Sequence, residues 1–375
     1  MGEMSNRERL LRVLRREPVD RIPVAPFIHI NYVKEFFGSH EVDWVVKTPE
    51  VYKHFGFDTI HRNCSPVYDA YGPGTDTWKM KTEVQRDGRD ETKITEITTP
   101  GGPIRIQEEL RWTCEYDAES SAVEYPIAGI EDFELFRRHQ PPLEAADATD
   151  IRRAKDAVGK EGIVAPWIQG AFNLLALYYR KLDDLLLDPL VNPGFYARMM
   201  EHFLTRYMGF VQQLIDAGTD VLSYGANVAN AKLISPEFYR RYIGPYEKRL
   251  IDFIQSRGVI VLFHNCGYAR NFLSLYSDLG MQAYESLAPR PYGDTELNEA
   301  VAAFGMKTAL AGGIDQLDLL RSGTPQQIDS TVETICRTVR NRSNFILGTT
   351  DYFNEATPRE NIHALAEAGR RHGGV

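Results

Sequence analysis

The chain reads as an α/β protein, a (β/α)8 TIM barrel with a β-hairpin insertion after the second strand. Three observations predict this. Eight short apolar runs recur along the 375 residues, amphipathic stretches with helix-start signals fill the gaps between them, and one block of residues 74–125 breaks the rhythm. The runs fall at residues 21–30, 57–63, 162–170, 219–226, 259–267, 282–289, 307–315 and 344–351. Each is apolar nearly throughout, the pattern of a parallel strand covered on both faces. Strand and helix alternating eight times describe a closed barrel better than an open sheet.

The helices announce their ends. SPEFYRRYIGPYEKRLIDFIQSRG begins with Ser235 at the N-cap and Pro236 in the first turn, and stops at Gly258. GTPQQIDSTVETICRTVRN repeats the device with Thr324, Pro325 and Gln327, which together resemble a capping box. Thr357, Pro358 and Glu360 do the same for the last helix. DAGTD at 216–220 and SDLGM at 277–281 each place a glycine between a helix and the next strand. In residues 74–125 side chains alternate between turn signals at Asp87-Gly88 and Gly101-Gly102, which predicts an antiparallel insertion lying over one mouth of the barrel as a lid. The whole of 1–375 is otherwise one barrel domain, without internal repeats or low-complexity tracts.

Composition excludes several functions. Hydrophobic residues make up 43% and charged residues 25%, the mixture of a soluble globular protein. A formal charge of −9 argues against nucleic acid as a partner. No apolar run approaches the roughly 20 residues that span a bilayer, so no membrane association is expected. The opening MGEMSNRERLLRVLRREPVDRIP is charged and lacks the apolar core of a secretory signal. Cys64, Cys114, Cys266 and Cys336 are too few and scattered for a disulfide framework, which points to a reduced, cytoplasmic protein.

In barrels of this class the chemistry sits at the C-terminal ends of the strands. The first strand ends near His29, Asn31 and Tyr32, and the second near His61, Arg62 and Cys64. The third brings Trp167, Gln169 and Asn173, and the fourth Tyr224, Asn227 and Asn230. The fifth brings His264 and Cys266, the sixth Glu285, the seventh Asp315, and the eighth Thr349, Thr350, Asp351 and Tyr352. Residues i and i+2 of a strand face the same way, so His264 and Cys266 point together. An imidazole and a thiolate side by side are half of a zinc site, whereas magnesium or calcium would want oxygen ligands. The competing reading is a packed cysteine beside a hydrogen-bonded histidine. Glu285 has two readings, a hydrogen-bond partner of His264 or a solvated acid, and Asp315 can serve simply as a helix cap. His61 next to Arg62 reads as a plain polar contact and Cys336 as core. The aromatic side chains Trp167, Phe172, Tyr224, Tyr268 and Tyr352 could line a pocket for a flat ligand, with His29, Asn227 and Tyr224 positioning it; ordinary packing is the competing reading for most of them.

Taken in order, NRERLLRVLRREPVDRIPV, LISPEFYRRYIGPYEKRL, HNCG, GDTELNEAVAAFGMKTALAGGID, GTPQQI and ATPRENIHAL resemble the uroporphyrinogen decarboxylase superfamily, and within it the corrinoid-dependent methyltransferase branch. The likeness runs over nearly the whole length. It implies a (β/α)8 barrel. In that branch the H-x-C at the end of the fifth strand binds zinc, which here implicates His264 and Cys266. Decarboxylating members carry an arginine-rich N-terminal motif for the porphyrinogen carboxylates; the matching stretch here, PFIHINYVKEFFGS, offers only Lys34. Thiol-methylating members place a further cysteine ahead of the last T-P helix start, where this chain has Asp351. A carboxylate is a competent zinc ligand, so the resemblance implies a site of His264, Cys266 and Asp351, with Glu285 as an alternative third ligand. No cobalamin-binding loop of the form D-x-H-x-x-G is found, so the resemblance implies that cobalamin arrives on a separate corrinoid protein. The expected reaction is methyl transfer between that cobalamin and a small methyl donor or acceptor. A methyl ether such as a methoxylated aromatic is favoured over a thiol, and decarboxylation of a tetrapyrrole acid is the alternative.

Overall fold

A computed structural model of the chain describes residues 2–374 apart from 343 and 354. The strands, in chain order, are β1 (Thr59–His61), β2 (Lys79–Asp87), β3 (Asp90–Thr99), β4 (Gly102–Trp112), β5 (Ala118–Glu124), β6 (Gly162–Val164), β7 (Trp167–Gln169), β8 (Val221–Gly225), β9 (Ile260–His264), β10 (Ala283–Ser286), β11 (Ala309–Ile314) and β12 (Phe345–Thr349). β7 to β12 form one parallel sheet in sequence order, and β1 pairs in parallel with β6. β6 and β7 are one run interrupted by Pro166, which has no N–H to give. The ladder carries on past the interruption, since Ala165 donates to the carbonyl of His61 and Ser223 to that of Pro166.

Residues 21–30, expected as the first strand, make only isolated bridges, Arg21 to Gly374 and Val24 to Leu347. Pro23 and Pro26 within the run remove the donors a regular ladder needs. The segment still joins the two ends of the array. Ala25 donates to Leu347 and Leu347 to Pro23 on one side, and Asp58 donates to Val24 on the other. Backbone hydrogen bonds thus run from β1 through β6 to β12 and back through Val24, an α/β arrangement that resembles a (β/α)8 barrel.

Strand alternation divides the core in two. Ile60, Ile163, Val221, Leu262, Ala283, Ala309 and Ile346 form one cluster with Leu10, Val13 and Leu14 of the helix Asn6–Leu14. Their strand neighbours Ile168, Leu222, Phe263, Tyr284, Leu310 and Leu347 belong to a second cluster shared with the surrounding helices. Ser5 caps the first of those helices by accepting from Glu8 N. The other sequence caps hold as well. Ser235 accepts from Phe238 N, and Thr324 and Gln327 exchange both bonds of a capping box. The last helix, Arg359–His372, starts one residue later than expected, with Pro358 at its cap. Gly218 and Gly280 reverse the chain in the left-handed region, φ +81° and +78°.

The insertion is larger than a hairpin. β2 to β5 make a four-stranded antiparallel sheet, with reversals at Gly88 and at 100–101 as the turn signals indicate. Its far tip, the turn 113–117, leans on the chain beyond β12, where Tyr116 N donates to Glu355. Glu115 at that tip meets both His40 and Arg89. Among the described residues no helix is long and apolar enough to cross a membrane.

Charge is buried beneath the ring. Asp58 is fully enclosed; Arg9 Nη1 donates to its Oδ1 at 2.7 Å and Arg21 Nη1 to its Oδ2 at 2.8 Å, the latter oxygen also accepting from Val24 N. Removing one partner from such a set leaves uncompensated buried charge. Asp58→Ala should therefore cost about 3–5 kcal/mol of stability, read as a lowered midpoint in urea; an unchanged midpoint would contradict this role.

His61 supplies a second test. Its Nε2–H donates to the carbonyl of Val45 at 2.7 Å, and its buried Nδ1 has no hydrogen-bond partner. Burial, partly offset by that bond, pulls its pKa down from 6.5 to about 4. Because the folded value lies below the unfolded one, the stabilisation is complete above about pH 6.5 and is lost as the pH falls toward 4, a span worth up to about 3 kcal/mol. His61→Gln keeps a donor and cannot titrate, so melting temperatures of the variant should fall less between pH 7 and pH 4.5 than those of the wild type.

Candidate functional site

The cluster with metal-ligand chemistry lies where β9 and β12 end. The register pairs Gly225 with His264 and His264 with Glu285, so His264 and Glu285 continue the inward row of Leu262 and Ala283. Beyond His264 the chain is pinned by Asn265, whose Oδ1 accepts from Gly267 N and whose Nδ2 donates to Tyr276 at 2.6 Å. That turn carries Cys266 back alongside the histidine. After β12, Thr350 N donates to Ile314 and its hydroxyl to Gln316, which sets Asp351 at the same rim. One ligand atom from each of His264, Cys266 and Asp351 lies within 4.8 Å of the others.

Glu285 stands behind this cluster. His264 Nδ1 donates to Glu285 Oε2 at 3.0 Å, and Arg62 binds the other carboxylate oxygen. Both oxygens are thus engaged, and Glu285 is absent from the cluster for that reason; of its two sequence readings the hydrogen-bonded one is realised. With Nδ1 used, Nε2 is the histidine atom left for Cys266 and Asp351. Burial works against charge on both partners, yet the neighbours win. The charge of Arg62 and the His264 bond hold Glu285 below the usual carboxylate range. The bonds of Cys266 and Glu285 and the charge of Asp351 push His264 up to about 10.

A cavity of about 600 Å³ opens over the cluster. His264, Cys266 and Asp351 line it together with Phe27, His29, Trp44, Arg62, Trp167, Asn227 and Tyr352. Aromatic rings form part of its wall. Phe27 and Trp167 stack with centroids 5.8 Å apart, Trp167 meets the edge of His264 at 5.3 Å, and His29 lies 5.0 Å from Tyr352. Burial lowers the pKa of His29, which keeps its ring neutral. Asn227 is oriented by Asn173, whose Nδ2 donates to its Oδ1 at 2.9 Å.

Tyr224 is not part of the cavity wall, contrary to the sequence expectation. It pairs with Phe263 across the ladder, so it belongs to the outward row, stacks on Phe263 and bonds the buried Glu247. One step along a strand reverses the face, and Ser223 and Gly225 hold the inward positions. Cys64 is buried, with its thiol pushed up by burial; Cys336 is buried in the helix Pro325–Val339; Cys114 is exposed on the insertion. Asp315 caps the segment after β11 through Leu317 N and Asp318 N. Sequence reasoning does not single out Phe27 and Trp44 in the wall, and reads Arg62 only as a plain polar contact of His61. Arg62 was detectable, because it lies two positions beyond the inward Ile60.

The chain is similar to known proteins. Residues 112–372, more than half of the chain, match the family model for uroporphyrinogen decarboxylase (URO-D). The methylcobamide:CoM methyltransferase MtbA of Methanosarcina mazei is 21% identical over 340 residues, covering 89% of this chain and 90% of that protein. A uroporphyrinogen decarboxylase from a Synechococcus species is 21% identical over 230 residues, covering 59% of this chain and 61% of that one. Among solved structures, a methyltransferase from Methanosarcina mazei superposes over 98% of this chain and 99% of its own with a TM-score of 0.71 at 16% identity, a likeness of fold. On the family-model match, the chain belongs to the uroporphyrinogen decarboxylase family.

Proposed function

We propose that the chain is a zinc-dependent methyltransferase that moves a methyl group between a small substrate and the cobalamin of a separate corrinoid protein. One observation carries the reading: the His264, Cys266 and Asp351 cluster at the base of a cavity lined in part by aromatic rings. The relatives that span most of the chain, named as methylcobamide:CoM methyltransferases, support it. In this reading residues 1–375 are one cytoplasmic (β/α)8 barrel domain and the 74–125 insertion is its lid.

The donor set fits zinc. A thiolate, an imidazole with one nitrogen free and a carboxylate are three ligands of an open catalytic site, and the Glu285 bond to Nδ1 is the partner that a metal-bound histidine ordinarily has. Zinc there supplies Lewis-acid chemistry at the substrate heteroatom. Asp351 makes the ligand set harder than one with two thiolates, which suits the oxygen of a methyl ether over a thiol. The residues do the rest. Trp167, Phe27 and Tyr352 provide flat faces for an aromatic substrate and keep water off the reacting centre, His29 stays neutral beside them, and Asn227 offers a fixed amide. Decarboxylation of a tetrapyrrole acid is the weaker reading. Arg62 is the one arginine or lysine among the described lining residues and is already bound to Glu285, so several substrate carboxylates would lack counter-charges.

Elemental analysis tests the centre. The purified protein, reconstituted with zinc, should hold about one zinc per chain, and His264→Ala and Cys266→Ala should lose it. A wild-type protein that retains none would overturn the mechanism. Loaded protein mixed with a cobalt(I) corrinoid protein should demethylate methoxylated aromatics, followed by the corrinoid absorption spectrum. Glu285→Gln should weaken zinc binding by roughly 10- to 100-fold while a saturating concentration restores full occupancy, measured by competition with a chromogenic chelator.

A further inference from the structure

The helix Leu182–Val191 is held on one side and bare on the other. Asp188, on its inner side, is buried and accepts from Arg180 through both oxygens, Nε to Oδ2 and Nη2 to Oδ1, each at 2.9 Å. Arg180 Nη1 in turn donates to the carbonyl of Ile127 at 3.0 Å, and Leu185 and Pro189 complete the buried side. The opposite side carries Leu187, Leu190 and Val191, which at spacings i, i+3 and i+4 form one stripe. They are 55%, 60% and 73% exposed. A surface helix ordinarily turns polar residues outward. Here three of the twelve exposed large apolar side chains among the described residues fall within five positions. Scattered singly, such residues need no explanation; clustered on a helix fixed from behind, they mark a contact surface.

The two ends of the stripe carry opposite charge. Asp183 and Asp184 stand in the first turn of the helix, and Glu131 opens the neighbouring helix Ile130–His139. That neighbour starts beside them, because Arg180 ties its leading residues Ile127 and Ala128 to this end. At the other end, Arg137 and Arg138 close the neighbouring helix and both pair with Glu134. Arg198 acts on the same carboxylate. It belongs to the helix Pro193–Asp216, with its Nη1 3.7 Å from the place a Cβ on Gly194 would take, just past Val191. Three arginines around one glutamate leave this end basic.

We infer that this face is an interface with a second copy of the chain, the two helices lying antiparallel across a two-fold axis. In a two-fold contact the same patch stands on both sides. The stripe then meets itself and leaves water, while Asp183 of each copy comes opposite Arg198 of the other. A face acidic at both ends would repel its own image, whereas one charged oppositely at its ends attracts it. Leu187, Leu190 and Val191 make the apolar centre of the contact, and the charged ends make its polar rim. The inference is independent of the methyl-transfer reading, since no cavity residue takes part.

The mass of the full-length protein in solution tests this, by sedimentation velocity from about 1 to 100 μM. The wild type should run as a dimer at the upper end of that range. Leu190→Glu places a charge in the middle of an exposed stripe. It should leave the circular dichroism unchanged and raise the dimer dissociation constant at least about tenfold. Asp183→Arg should weaken the dimer as well, whereas Asp183→Arg combined with Arg198→Asp should bring it back to within about threefold of the wild type. A wild type that stays monomeric at about 100 μM overturns the inference, also where a corrinoid protein is found to bind this face. So does a dimer that Leu190→Glu leaves intact. A dimer that the paired exchange fails to restore overturns the antiparallel arrangement. If Leu190→Glu does not fold, the charge pair decides.

Discussion

The carboxylate of Glu285 is the point on which the site depends. It accepts from His264 on one side and from Arg62 on the other, with all three side chains almost wholly buried. Such a set is expensive to assemble and survives because each charge answers another. Its geometry has consequences in both directions. Holding Nδ1 of His264 fixes the tautomer and turns Nε2 toward Cys266 and Asp351; holding Arg62 sets the plane against which Phe27, and through it Trp167, is arranged. Metal-ligand chemistry and the aromatic wall are thus two sides of one ionic arrangement.

Much of this was legible in the sequence because periodicity carries it. The eight apolar runs, the S-P and T-P helix starts and the capping box at Thr324 are local signals, and locality is what a single chain displays. The departures have identifiable physics. Residues 21–30 look like a strand by composition, but two prolines reduce them to isolated bridges. The insertion showed its turns, yet four strands rather than two lie between and around them. At the site, strand parity suggested that His264 and Cys266 face together, but β9 ends at His264 and it is the turn after it that brings Cys266 alongside. Asp351 entered through likeness to a family. Tyr224 failed on parity, since the inward row at β8 runs through Ser223. Arg62 and Glu285 are 223 positions apart, and nothing local signals that they meet.

The site also departs from what its likeness to thiol-methylating proteins suggests. Asp351 stands where a second thiolate is expected, and it is a partly exposed rim residue, with its Oδ1 accepting from Tyr352 N. A carboxylate at that place is harder and more weakly donating than sulfur. In the proposed zinc site, beside a cavity lined in part by indole, phenol and benzyl groups, it would give a ligand set of different character on a retained scaffold.

The bridge between Val24 and Leu347 bears on how the molecule is made. Its two halves are separated by almost the entire chain, and Phe27 N reaches Thr349 across 322 positions. Until β12 has left the ribosome, the first segment has no partner on that side and β11 is an unpaired edge. Ring closure is therefore a late, long-range event with a large loop-closure cost. The nascent protein spends its synthesis as an open parallel sheet with a sticky border, the state in which a chaperone has most to protect.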